Sequence, residues 1–463
     1  QDARARRVPR IAPWSDWIDF EATVGTARDQ IAVLPGTLRR SWTQGDRRYF
    51  HYRTDSPILN FFSLLSAEYA VREARWKDIE IRVLHHPDHS FNVDRAVRNV
   101  QASLDYFTDQ FGPYPYRQLS MVEFPGYGRG ARAYAGQIIY SEADPIAVAR
   151  MDAGAADRVD YPLAVTAHEV AHQWWGQQVM GADVQGSQML SETLAQYSAV
   201  MVLERTHGAE HARRSLLAMH EQYLNGRGRN ATAEVPLLFT TAHGYILYGK
   251  GPVVMYALQD YIGEERVNTA LRRLVKKYGK QEPPYPTTLD LYEELRAVTP
   301  DSLRYLLRDL LATITLWDLR ATGARAMPSG SGHYLVTLNV EAAKLRSDSV
   351  GNDTEVPMND LVEIGVFAED KNGEGLGEPL YLRKHRIHSG QQAITITVPG
   401  RPARAGIDPY HKLIARHADA LYTSDIKLAE VNIDGHPGSV STRAGSGAGR
   451  SPRAAEFQGN LTP

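Results

Sequence analysis

From Val93 to Phe111 the apolar side chains fall at Val93, Val97, Val100, Leu104, Phe107 and Phe111, the spacing of a helix with one buried stripe, and Gly112 stands where such a helix stops. The following stretch, Leu119 to Phe124, reads as a strand. Between about 160 and 315 the helical period dominates. It predicts segments near 162–176, 192–206, 211–224, 251–262, 265–278 and 300–313, punctuated by Gly208, Gly226, Gly263, Gly279 and Pro300. On either side of this region the period is two. Residues 1 to about 80 mix short alternations with turn clusters such as Gly45-Asp46 and Asp55-Ser56-Pro57, and they predict strands. Past about 325, Tyr334, Val336, Leu338 and Val340 alternate, as do Ile394, Ile396 and Val398, and a small β-sandwich fits these short strands best.

The pattern predicts a multidomain α+β protein, and 463 residues are more than one ordinary core takes up. A partial β domain is expected over 1–80, a mostly helical domain over 81–320, a β-sandwich domain over 321–425 and a flexible tail over 426–463. The last part, from about Asp434, is rich in Gly, Ser, Arg and Ala without any period. No internal repeat is visible.

Composition narrows the possibilities. Apolar residues make up 43% and charged residues 23%, the balance of a soluble globular protein, and no apolar run approaches the roughly 18 residues that span a bilayer. The formal net charge is -2 with both signs interspersed, which excludes the basic surface that nucleic-acid binding requires. There are no cysteines, so any metal must be held by nitrogen and oxygen. The chain starts at Gln1 without a signal-peptide pattern and reads as a piece of a longer precursor.

The chemistry concentrates in Tyr161 to Gly176. Pro162 suits a first helical turn, Asp160 can lie near its amino end, and Leu163, Ala167, Val170, Ala171 and Trp174 form an apolar stripe. On this helix His168 and His172 are four apart, so both imidazoles leave one face and can close on one ion, with Glu169 beside a metal-bound water. This is the H-E-x-x-H arrangement of zinc peptidases. Sixteen histidines make a chance match somewhere in the chain roughly a three-in-a-hundred event, so context must decide. In one zinc-peptidase variant a third histidine follows the second at the position held here by Gln178, so the third ligand comes from elsewhere. Glu192 can supply it, at the start of a helix that Ser191 can begin and that buries Leu194, Tyr197 and Met201. Alone it would be an ordinary first-turn acid. With the two histidines it makes a three-ligand set that leaves a fourth position on zinc for water, the mark of a catalytic site. The third element is Tyr245 to Gly251, where a tyrosine hydroxyl near zinc could bond an oxyanion, although any one of 24 tyrosines is by default a packing residue.

These three segments together resemble the aminopeptidase N family of gluzincins, which includes leukotriene hydrolase. The counterparts are His168 to Gly176, Ser191 to Tyr197 and Tyr248 to Gly251, and the likeness runs from roughly residue 15 to residue 425. It implies a β domain truncated at its amino end, a thermolysin-like catalytic domain, a β-sandwich, one zinc per chain and a peptide substrate. It implies Tyr248 as the tyrosine acting on the transition state. Two departures stand out. The loop 173–191 between His172 and Glu192 is one residue longer than the family usually has. The family's G-x-M-E-N strand, whose glutamate grips a free amino terminus, is matched by Gly130-Ala131-Arg132-Ala133-Tyr134, with Ala133 in the glutamate's place. These five residues are the expected substrate-binding strand, without the anchoring carboxylate.

The short β start and the closing Ile407 to Lys412 segment are similar to gluzincin domains joined to membrane-spanning permease segments in bacteria. That resemblance implies attachment to such segments and a place on the periplasmic face of the membrane, with a cytoplasmic one still open. Hydrolysis of a non-peptide bond, and a zinc-keeping but catalytically altered module of a transporter assembly, are the rival readings. Intact Glu169 and Tyr248 speak against the second.

Overall fold

The computed structural model describes residues 3–11, 13–144, 159–229, 232–370, 375–424 and 426–428. The chain divides into two units, Gln1–Ile314 and Thr315–Pro463. Together they are a mixed α+β protein built from several sheets and a run of helices.

Seven short strands come first: β1 (Trp17–Ile18), β2 (Glu21–Ala27), β3 (Ile31–Val33), β4 (Thr37–Gln44), β5 (Arg47–Arg53), β6 (Ile58–Leu59) and β7 (Leu65–Ala67). β2, β5 and β4 form an antiparallel sheet whose buried face, Phe50 and Tyr52 with Ala32 and Leu34, makes a small core. Next come β8 (Ala70–Trp76) and β9 (Ile79–His85), an antiparallel hairpin across the boundary expected near residue 80. The hairpin belongs to a five-stranded sheet with β10 (Gln118–Phe124), β11 (Ala131–Tyr134) and β12 (Gln137–Ser141), in the order β11-β12-β10-β9-β8. β9, β10 and β12 are parallel and the two edge strands antiparallel. α1 (Val93–Phe111) buries Val93, Val97, Val100, Leu104, Phe107 and Phe111, the stripe read from its spacing, and ends at Gly112 with φ 117°.

The helical region holds α2 (Tyr161–Ala171), α3 (Glu192–His207), α4 (Ala209–Arg229), α5 (Gly251–Ile262), α6 (Glu264–Tyr278) and α7 (Thr288–Val298). α2 stops five residues short of the expected 176 because the backbone tightens at once, Gln173 N donating to Val170 O and Trp174 N to Ala171 O. α7 is absent from the expectation. It starts on a capping box in which the Thr287 side chain and the Asp290 side chain each bond the other's backbone. The single helix expected over 300–313 is three turns of different pitch, a 3-10 turn at Asp301–Leu303, α8 (Arg304–Leu307) and a π turn at Arg308–Ala312. Among the described residues no helix is long and apolar enough to cross a membrane.

The second unit contains two sheets. β13 (Thr315–Gly330), β14 (His333–Ser347), β15 (Asp353–Val356), β18 (Gly390–Pro399) and β21 (Ile426–Leu428) form one; β16 (Asn359–Phe367), β17 (Pro379–His388), β19 (Arg404–Ile407) and β20 (Tyr422–Thr423) form the other. Val336, Leu338 and Val340 are buried at alternate positions of β14, as their spacing predicts. Ile426–Leu428 pair in parallel with β13, so the sheet takes in the first residues past 425. Of the tail expected over 426–463, residues 429–463 lie outside the described residues.

Candidate active site

α2 is set in place by its own sequence. Asp160 is its N-cap, accepting from Leu163 N at 2.9 Å, and it also receives Arg95 Nη2 at 2.6 Å and His207 Nε2 at 3.1 Å. Pro162 occupies the first turn, where a missing N–H costs nothing. Just past the other end, Trp174 and Trp175 are wholly buried. Trp174 Nε1 donates to Gly112 O and Trp175 Nε1 to Ser198 Oγ, both at 3.0 Å, and the two rings meet Phe107 and Phe111 edge-on. The helix is thereby pinned to α1 and α3.

His168 and His172 leave one face of α2 with their Nε2 atoms 3.0 Å apart. Glu192, the first residue of α3, brings Oε2 to 3.5 Å from each of them, so the longer loop does not keep it away. Ser191 precedes the helix but makes no side-chain cap; its hydroxyl bonds the Glu192 carboxylate at 3.2 Å instead. His172 Nδ1 donates to Trp175 O at 2.9 Å, which turns Nε2 toward the cluster. Glu169 is buried, and burial raises its pKa, with the His168 and His172 imidazoles opposing and the Glu192 and Asp144 carboxylates adding to the rise.

The donor set fits a divalent cation. Burial would lower the His172 pKa, but the Glu192 carboxylate more than reverses this and pushes it up to about 9. For Glu192 burial would raise the pKa, and the two imidazoles outweigh it and hold the carboxyl well below its ordinary value. The two ring nitrogens, 3.0 Å apart, both face the Glu192 carboxylate, so one cation between them would be met by both lone pairs and the carboxylate. Two nitrogens bound tetrahedrally to one zinc stand roughly 3.4 Å apart, close to what the side chains already adopt.

Tyr248 enters from the π turn Tyr245–Lys250, its hydroxyl donating to Glu192 Oε2 at 2.8 Å and its ring 6.0 Å from that of His168. Glycines make the approach possible. A Cβ on Gly249 would stand 2.9 Å from Tyr223 N and one on Gly251 2.5 Å from the Thr193 side chain, so the turn can lie directly on α4 and α3. Thr193 Oγ1 then donates to Leu247 O at 2.9 Å and ties it down. A single-turn π segment of this kind recurs at functional sites.

Residues 95–308 match the peptidase family M1 domain. Over this stretch the chain is similar to M1 metallopeptidases of the aminopeptidase N-like gluzincin type. Aminopeptidase M1-B of Oryza sativa subsp. japonica is 29% identical over 236 residues, 49% of this chain and 25% of that protein. Aminopeptidase M1-C of the same plant is 26% identical over 309 residues, 64% of this chain and 34% of its own length. Endoplasmic reticulum aminopeptidase 2 of Homo sapiens is 23% identical over 215 residues, 43% of this chain and 21% of that protein. The matched stretch thus spans between about a fifth and a third of these relatives.

Within the matched stretch, Ala131 to Tyr134 form the edge strand β11, entered from Gly130 at φ 84°. Ala133 and Tyr134 are buried, whereas the Arg132 side chain is exposed. Two residues that sequence reasoning passed over join this strand to the segment that follows α2. Gln173 Nε2 donates to Tyr134 O at 2.9 Å while its Oε1 accepts from Gly136 N at 2.9 Å, and Gln177 Nε2 donates to Ala133 O at 3.3 Å. The signal available was three glutamines, Gln173, Gln177 and Gln178, grouped directly after the helix around Trp174, Trp175 and Gly176.

Proposed function

We propose that this domain hydrolyses peptide bonds, with His168, His172 and Glu192 holding one zinc ion, Glu169 acting as general base and Tyr248 as oxyanion donor. The reading rests on one observation above all: a donor atom from each of the three ligand residues lies within 4.8 Å of the other two, with a buried glutamate next to the first histidine. When bound by two imidazoles and a carboxylate, zinc would supply a Lewis acid and lower the pKa of a water to near 7. Glu169, its proton affinity raised by burial, is suited to take that water's proton and hand it to the leaving amine. Burial first and the Glu192 carboxylate second push the Tyr248 hydroxyl far above its ordinary pKa, so it stays protonated and can donate to an oxyanion. The same reading takes residues 81–320 as a thermolysin-like catalytic domain and 321–425 as a β-sandwich; the two sheets of the second unit support the latter.

β11 is an edge strand, so its open side can receive an extended peptide as an added strand. What it lacks is charge at Ala133. An amino-terminal ammonium loses strong hydration on entering a site, at a cost of several kcal/mol unless an anion receives it. The domain should therefore discriminate poorly for a free amino end, and a peptide should be cleaved about as well with its amino terminus acetylated as with it free. Comparing kcat/KM for the two forms, with zinc present and after chelation, tests both the hydrolysis and the preference. A preference of a hundredfold or more for the free form, about 2.7 kcal/mol, would mean that another acid does the anchoring. Asp144 would be the first suspect, since it is buried and its charge reaches Glu169; Glu142 would be the second. No hydrolysis of either form by the zinc-loaded protein would remove the proposed activity itself.

A further inference from the structure

Three parallel strands, β9, β10 and β12, run side by side and end at His85, Phe124 and Ser141. Beyond their carboxyl ends lies a second cluster of metal-ligating side chains, separate in its residues from the catalytic one. His89 comes from the loop after β9, Glu123 is the penultimate residue of β10, and Glu142 is the first residue past β12. One donor atom from each lies within 4.8 Å of the other two. His89 Nδ1 is 2.5 Å from Glu123 Oε1, and His86 N donates to the other oxygen at 3.4 Å. Gly126 N donates to Glu142 Oε1 at 2.7 Å.

Two features set this apart from an ordinary surface group of acids. The Glu123 side chain is 4% exposed, so its charge is largely withdrawn from water, and a second carboxylate stands close to it. Among the described residues neither Glu123 nor Glu142 is paired with a lysine or arginine, which leaves two carboxylates facing one imidazole. Like charges this near in a partly desolvated place repel, and a cation relieves the repulsion. The position is also the one where open sheets with parallel strands collect ligands, outside the carboxyl ends.

We infer that His89, Glu123 and Glu142 bind a second divalent ion. One imidazole and two carboxylates are a donor set for zinc or manganese rather than for a thiolate-seeking or an all-oxygen ion. The consequence is structural. The loop 125–130, which leads into β11, is already tied to this point by Gly126 N on Glu142 and by Ser141, whose hydroxyl donates to Gly128 O at 2.6 Å and whose N–H donates to Gly130 O at 3.0 Å. An ion bridging the three strand ends fixes the loop and the start of the strand that runs beside the metal-ligand helix.

The test is a count of ions. Metal-stripped protein is titrated with Zn2+ alone, and separately with Mn2+ alone, and the bound equivalents are measured after removal of free metal. The parent should take up two equivalents of zinc. His89→Ala and Glu142→Gln should each take up one, and His172→Ala, which spares this cluster, should also take up one. Circular dichroism confirms that each variant is folded. A second readout needs no catalysis: in the His172→Ala background, whichever of the two ions binds should raise Tm, and adding Glu142→Gln should abolish the rise. One equivalent in the parent, or two in folded His89→Ala and Glu142→Gln, overturns the inference. Neither result touches the catalytic site, which His172→Ala reports by itself.

Discussion

Glu169→Gln is expected to keep the full metal complement of the parent and to lose turnover by roughly a hundredfold to ten-thousandfold, the range that a positioned general base contributes. The amide is nearly the same size and shape as the carboxyl, so packing around this buried position on α2 changes little. What disappears is the ability to accept a proton. Burial raises the proton affinity of Glu169, His168 and His172 oppose the rise, and Glu192 and Asp144 add to it. Glutamine has no such affinity. The measurement is kcat for an unblocked peptide together with zinc content by elemental analysis. Turnover within about threefold of the parent, with zinc retained, would take Glu169 out of the proton-transfer role, because one missing base should cost several kcal/mol of barrier.

Tyr248→Phe should lower kcat by roughly a hundredfold or more while KM and metal content stay near those of the parent, since one preorganised oxyanion donor is worth that much. The hydroxyl is held by a 2.8 Å bond to Glu192 Oε2 and carried on a π turn that glycines press against α3 and α4. Phenylalanine keeps the ring and its contact with His168, so ground-state binding has little reason to change. A variant with raised KM and unchanged kcat would mean that the hydroxyl binds substrate and does not act on the transition state. A loss of zinc would mean that its bond to Glu192 is a support for the metal ligand.

The meeting of His168, His172 and Glu192 was legible because local rules place it. The i, i+4 pair His168 and His172, the N-cap Asp160 with Pro162 behind it, and an acid in the first turn of α3 are short-range features, and the structure brings all three ligand residues together. The departures have physical causes of the same kind. Apolar spacing persists across turns of different pitch, so residues 300–313 read as one helix when they are three segments. α7 buries only Leu291 and Leu295 among its larger apolar residues, too few for a period to emerge, and its capping box was the usable sign. Long-range meetings are another matter. Gln173 reaches Tyr134, and His89 reaches Glu123 and Glu142, because parallel strands and a turn carry them there. Nothing in the spacing along the chain announces such a juxtaposition.

The account's central claim, that His168, His172 and Glu192 hold one catalytic zinc, is tested most directly by bound zinc in His172→Ala and Glu192→Ala against the parent, measured on folded protein beside peptide turnover. Each variant should lose one equivalent and, with it, all measurable hydrolysis, because removing one of three protein ligands leaves too few to hold the ion. Zinc equal to the parent's in either variant would contradict the ligand assignment.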